Sequence, residues 1–193
     1  MKSKLLHTAN LIVLGFGIFM LIGLVTLAFI GRPPRSKMVG EKLPRMDLQP
    51  MLNVDQDFSN ESLSGKVIVL HFWGTWCPPC MKEFPEFEKL CSEFMDNSSV
   101  RILSVSCSQG AELDLDGLQQ KTERFMAKYE TPIPTYSDGA AMSRQQLAML
   151  SSNGSFGYPT TLLVGRDGKI VEAISGYYPG EMEGLVDLLR AEL

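Results

Sequence analysis

Histidine is nearly absent from this 193-residue chain, at two residues, and cysteine is sparse, at four. Outside the pair Cys77 and Cys80, only Cys91, Cys107, His7 and His71 remain as soft metal ligands. They form no second pair at ligand spacing, and His7 precedes a long apolar segment, so a tetrahedral zinc site is excluded. Covalent haem attachment would need a histidine directly after Cys80, where Met81 stands. No basic stripe exists either. Residues 1–42 hold six Lys/Arg against one acid, which leaves twelve Lys/Arg against twenty-one Asp/Glu in the remainder. An acidic body repels a phosphate backbone, so nucleic acid is not an expected partner. Internal repeats and low-complexity tracts are lacking. No metal and no cofactor are expected.

What is present begins with Leu11–Ile30, twenty positions without a charge. As a helix they would span about 30 Å, the thickness of a hydrocarbon core. Their position between Lys2/Lys4 and Arg32/Arg35/Lys37 suits an anchor more than a buried core helix. A cleaved signal peptide is the competing reading. The run exceeds a usual signal core and no small-x-small site follows it, which favours an uncleaved anchor. Flanking charges nearly balance and leave the orientation open. The expected organisation is a flank over 1–10, a transmembrane anchor over 11–30, a Pro/Gly-containing tether over 31–42 and one folded domain over 43–193.

Within the domain, Val67–Trp73 is a continuous apolar run rich in β-branched residues, as expected for a central strand buried on both faces. From Cys77 the pattern becomes helical, with Pro78 and Pro79 in the first turn and Phe84, Phe87, Leu90, Cys91 and Phe94 at helical spacing. Pro85 removes one backbone hydrogen bond and should kink that helix near Met81 to Pro85. Val100–Ser106 reads as a strand, Leu115–Tyr129 as a helix, Pro134–Ser137 as extended and Ala140–Leu150 as a helix. Tyr158–Val164 and Ile170–Ser175 read as strands joined by the Arg166–Lys169 turn, and Glu181–Leu193 as an amphipathic helix. The order predicts an α/β sandwich with a mixed sheet.

Trp76-Cys77-Pro78-Pro79-Cys80 falls where a buried strand turns into a helix. A thiol at a helix N-terminus meets free backbone N–H groups and the positive end of the macrodipole, both favouring thiolate. Cys77 is the expected nucleophile. Cys80, one turn further on, can close a disulfide with it or resolve a mixed disulfide. A purely structural bridge is the alternative, disfavoured by the strand-to-helix placement.

The stretch from Val69 to Glu86 resembles the active-site segment of the TlpA/ResA-like thioredoxins, a family of membrane-anchored extracytoplasmic thiol–disulfide oxidoreductases. The likeness continues through Gly157-Tyr158-Pro159-Thr160-Thr161 and the Asp167-Gly168 turn. It implies a thioredoxin-like fold, an exposed nucleophile Cys77, a buried partner Cys80 and a cis-proline at Pro159 beside the Cys77–Cys80 disulfide. It also places Glu83 where ResA-like members carry an active-site glutamate that influences cysteine ionisation. Trp76, Pro78, Pro79 and Tyr158 become candidate substrate-binding residues. The implied partners are extracytoplasmic disulfide-containing proteins, apocytochrome c among them, and a membrane electron donor, with the domain on the extracytoplasmic side of the cell membrane. Competing activities are a peroxiredoxin-like peroxidase and a non-catalytic tethered assembly module.

His71 stands where family members often have Asn. It is expected either to relay the proton of Cys80 or to sit as a buried neutral imidazole. Cys91 and Cys107 read as buried free thiols, with a second disulfide between them as the alternative.

Overall fold

Seven consecutive buried residues, Val67–Trp73, form β2, and their alternation feeds two separate cores. Val67, Val69 and Trp73 point to one face, and Ile68, Leu70 and Phe72 to the other. Each fully buried aliphatic side chain contributes about 1.5–3 kcal/mol, so this strand is the axis of the structure. The computed structural model describes residues 15, 17–20, 23, 36–54, 58–110, 114–130 and 132–193.

Around β2 lies a six-stranded mixed sheet in the order β1-β4-β3-β2-β5-β6. Its other strands are β1 (Gln49–Leu52), β3 (Val100–Ser106), β4 (Thr135–Ser137), β5 (Thr160–Val164) and β6 (Ile170–Ser175). β2 runs parallel to β3 and antiparallel to β5, with Phe72 opposite Thr160. Helices α1 (Pro78–Phe94), α2 (Leu115–Met126) and α4 (Glu181–Glu192) supply Phe84, Phe87, Met126, Leu185 and Leu189 to the first core. Helix α3 (Met142–Leu150) and the segment preceding β1 cover the opposite face through Leu147, Met46 and Leu48. This is a thioredoxin-like α/β fold.

Several features differ from the expected ones: the second helix ends at Met126 rather than Tyr129, and β5 begins at Thr160 rather than Tyr158. The compact unit runs from Ser36 to Leu193, so residues 36–42 are not a free tether. Gly40 N–H donates to Ile170 O at 2.8 Å, Ile170 N–H to Glu41 O at 2.9 Å, and Met38 is buried. The β6 edge recruits these residues because its backbone groups need partners. Helix α3 starts at Met142 rather than Ala140. Ala141 is left-handed, at φ 59°, and the Asp138 carboxylate takes the Ser143 and Arg144 amides as a cap. Helix α1 continues through Pro85, which lies on its exposed face, where water can take the bond that the missing N–H leaves.

The other compact unit is Met1–Arg35. In it Gly15, residues 17–20 and Gly23 are helical, with Ile18, Phe19 and Met20 exposed. The rest of the expected anchor, Leu11–Ile30, lies outside the described residues. Among the described residues no helix is long and apolar enough to cross a membrane.

Candidate active site

Cys77 caps α1. It keeps extended backbone angles, φ −101° and ψ 104°, its sulfur accepts the Cys80 N–H at 3.3 Å, and Pro78 follows at the first helical position, where no N–H is needed. The two cysteines are joined as a disulfide, with Cα atoms 5.3 Å apart. Cys80 is fully covered. Cys77, expected to be exposed, keeps only 3% of its surface and belongs to the same core cluster as Cys80. Trp76, Pro78 and Pro79 are exposed around it.

Antiparallel pairing of Phe72 with Thr160 carries Tyr158-Pro159 to the sheet end from which β2 leaves for the cysteines. Pro159 is buried, and the Tyr158–Pro159 peptide is cis. Tyr158 meets Trp76 edge-to-face, with ring centroids 5.2 Å apart, and Trp76 Nε1 donates to Cys107 O at 2.8 Å. The two aromatic rings thus form a wall beside Cys77. Gly74 makes that wall fit. A Cβ there would collide with Trp76 Nε1 and lie 2.6 Å from Cys107 O. Gly74→Ala should therefore cost about 1–3 kcal/mol, as overpacking does, and displace the indole. Urea unfolding and tryptophan emission check this; an unchanged midpoint and spectrum would refute the packing argument.

His71 and Glu83 come together beneath α1, joined by Thr161, which the sequence reading did not single out. His71 Nδ1 lies 2.9 Å from Thr161 Oγ1 and 3.9 Å from Glu83 Oε2, and Thr161 Oγ1 donates to Glu83 Oε1 at 3.4 Å. With the threonine proton directed to the carboxyl, the hydroxyl oxygen accepts from Nδ1–H. The imidazole also stacks on Phe87, centroids 4.1 Å apart. Among the described residues, His71 Nε2 and Glu83 Oε2 have no hydrogen-bond partner.

Burial pushes the His71 pKa down to about 3. Burial, against the Thr161 hydrogen bond and with the nearby Glu86 and Glu181 charges, pushes Glu83 up to about 8. The 3.9 Å contact is thus a neutral acid beside a neutral base at pH 7. Ionising both would place two charges where little solvates them. Burial thus disfavours His71 as a holder of the Cys80 proton near neutral pH, while its Nδ1 is engaged by Thr161.

Cys91 and Cys107 are free and buried. Burial raises both thiols, Cys107 to about 12. Among the described residues no His/Cys/Asp/Glu group could hold a metal ion.

The Redoxin family model matches residues 38–189. Thiol-disulfide oxidoreductase ResA of Halalkalibacterium halodurans is 31% identical over 156 residues, 78% of this chain and 80% of the relative. The chain is a Redoxin-family protein of the TlpA/ResA-like type. ResA of Bacillus thuringiensis is 28% identical over 60% of this chain and 58% of its own length. Among solved structures, a candidate thiol:disulfide interchange protein DsbE from Chlorobium tepidum superposes with a TM-score of 0.62 at 21% identity, covering 80% of this chain and 96% of its own. The protein is a thiol–disulfide oxidoreductase, and Cys77–Cys80 is its dithiol pair.

Besides Thr161, two residues of the site were not foreseen. Arg144 and Asp138 are almost fully buried behind Tyr158, although nothing in the helical pattern of 140–150 marks Arg144 as different from a surface cation. The sole available hint was the Asp138-Gly139 pair ahead of the helix, a capping signal.

Proposed function

We propose that this protein is anchored in the cell membrane through Leu11–Ile30 and reduces disulfides of extracytoplasmic proteins, apocytochrome c among them, with electrons from a membrane donor. The observation that carries the reduction chemistry is the Cys77–Cys80 disulfide at the head of α1, beside the Trp76–Tyr158 wall. In the reduced protein the Cys77 thiolate attacks a substrate disulfide. One substrate sulfur leaves as thiolate, and the other is held as a mixed disulfide. Cys80 then attacks Cys77 Sγ, releases the second substrate thiolate and restores the intramolecular bridge.

The proton of Cys80 needs an acceptor during that second step. Cys80 and Glu83 are three residues apart on the buried face of α1, and the acceptor is the ionised form of Glu83, a minority at pH 7 that grows as pH approaches 8, so resolution should quicken over that range. The anchor reading is supported by the uncharged length of Leu11–Ile30 and by exposed Ile18, Phe19 and Met20 on a helical stretch. An extracytoplasmic position also suits a tethered dithiol, since disulfides persist in oxidising compartments.

Full-length protein tested for insulin reduction with dithiothreitol and for peroxide consumption separates the readings. Insulin reduction without peroxide turnover is expected. Peroxide turnover would replace the reading with a peroxidase, and neither activity with a tethered module braced by its disulfide. Cys80→Ser in cells should accumulate mixed disulfides that dissolve on reduction, because the resolving thiol is gone. Their mass-spectrometric identity names the substrates, and absence of any adduct would sink the attacker-and-resolver scheme.

A further inference from the structure

Arg144 is engaged through all three nitrogens of its guanidinium. Nε is 3.1 Å from Asp138 Oδ2, Nη1 donates to Ser108 O at 2.9 Å and to the Tyr158 hydroxyl at 2.8 Å, and Nη2 donates to Gly110 O at 3.0 Å and Asp138 O at 3.1 Å. Both ionic partners are buried, Arg144 at 5% and Asp138 at 2% exposure. Neutralising Asp138 would need only one of these contacts. The remainder tie the end of α3 to the loop after β3 and to the residue before the cis-proline.

From Tyr158 the linkage closes on the dithiol. The Tyr158 ring packs on Trp76, the neighbour of Cys77, and the Trp76 indole is bonded to Cys107 O, one residue before the Ser108 carbonyl that Arg144 holds. Tilting either aromatic ring would disturb a part-buried polar contact. Trp76 is 38% exposed, so the wall so fixed is a surface that an incoming chain can meet.

We propose that Arg144 is a positioning residue for substrate: by holding the Tyr158 hydroxyl it fixes the Trp76–Tyr158 wall against which a polypeptide lies as its disulfide meets Cys77. The planar fork is essential to this role. A lysine has three donors on a point charge and cannot hold Asp138, two loop carbonyls and a phenol in one plane. A small disulfide needs only the sulfur atoms of the site and is indifferent to the wall.

The role rests on the oxidoreductase activity, and two measurements test it. In steady-state insulin reduction by the full chain, Arg144→Lys and Tyr158→Phe should each raise KM about tenfold with kcat within about threefold, the mark of lost binding rather than lost chemistry. The double variant should be no worse than Arg144→Lys, because both changes break one linkage. Reduction of oxidised glutathione should change far less than that of insulin. Independently of activity, acrylamide quenching of Trp76 should rise in both variants, while Trp73, fully buried, stays silent.

An unchanged KM and unchanged quenching in folded Tyr158→Phe would overturn the proposal. So would multiplicative losses in the double variant, or equal losses on glutathione and insulin. If Arg144→Lys does not fold, Tyr158→Phe decides alone, since it removes one oxygen atom. A wild-type protein inactive on insulin would refute the reductase reading instead, leaving the quenching result to judge the linkage.

Discussion

Cys77→Ser should lower disulfide exchange by at least about a thousandfold while leaving the domain folded. A serine hydroxyl carries almost no alkoxide at neutral pH, whereas the attacking species in exchange is the thiolate. No other thiol can substitute. Cys91 and Cys107 are buried, and burial holds both in the neutral form. Cys80 is covered completely. The fold survives because the bridge spans a separation of only three residues, and a loop that short stabilises by about 2 kcal/mol at most in the chain-entropy account. The two cores on either face of β2 do not depend on it. Cys80→Ser keeps the attacking thiol and should retain a single round of mixed-disulfide formation. The measurement is single-turnover reduction of insulin by pre-reduced variants, with circular dichroism to check folding. Residual exchange above a few per cent in Cys77→Ser, or brief alkylation of the reduced wild type labelling Cys80 before Cys77, would reverse the assigned roles.

The central strand was legible because both its faces are buried. Val67–Trp73 reads as a continuous apolar run, and continuous runs of that length have few other uses. The strand-to-helix turn was legible for a related reason: Cys77 as cap and Pro78 in the first turn are local features, decided by backbone groups within a few residues. Long-range partners were not legible. His71 sits directly opposite Thr161 in the β2–β5 register, and that pairing, more than proximity in sequence to Cys77, determines where its ring nitrogen bonds. Register depends on where β5 begins, and the sequence pattern of Tyr158–Val164 leaves that uncertain by two residues. Arg144 was invisible for the same reason: its burial follows from the β3–α2 loop and the cis-proline loop closing over α3, contacts made across more than thirty residues on one side. Met38 and Gly40 were misread as tether because composition reports flexibility, whereas their structure comes from an unpaired sheet edge.

The largest pH effect on stability should come from Glu83 and His71 acting in opposite directions. Glu83 has its carboxyl raised from 4.5 to about 8 in the folded protein. Between those values the folded state keeps a proton that the unfolded chain has released, so stability falls as pH rises, by about 1.4 kcal/mol per pH unit. His71 is lowered from 6.5 to about 3. Between 3 and 6.5 the unfolded chain binds a proton that the folded state refuses, so stability rises with pH at a similar slope. The two slopes cancel from 4.5 to 6.5. Oxidised wild-type protein should therefore show a stability plateau there, a loss on acidification below pH 4.5 and a separate loss from pH 6.5 to 8. The Glu83 share of that alkaline loss should reach roughly 2 kcal/mol by pH 8. The buried thiols do not interfere, since a free cysteine titrates near 9.0 and their contribution starts above this window. Glu181, also raised, remains in every variant and drops out of the comparison. Glu83→Gln keeps the shape, can still accept from Thr161, and never ionises. Its urea midpoint should stay level from pH 6.5 to 8 and exceed that of wild type at pH 8, although a buried polar group has been replaced. His71→Asn should flatten the acid limb below pH 4.5 and leave the alkaline one untouched. A Glu83→Gln profile that falls as steeply as wild type between pH 6.5 and 8 would mean that Glu83 is already ionised in the folded protein, and with it the neutral His71–Thr161–Glu83 arrangement would have to be given up.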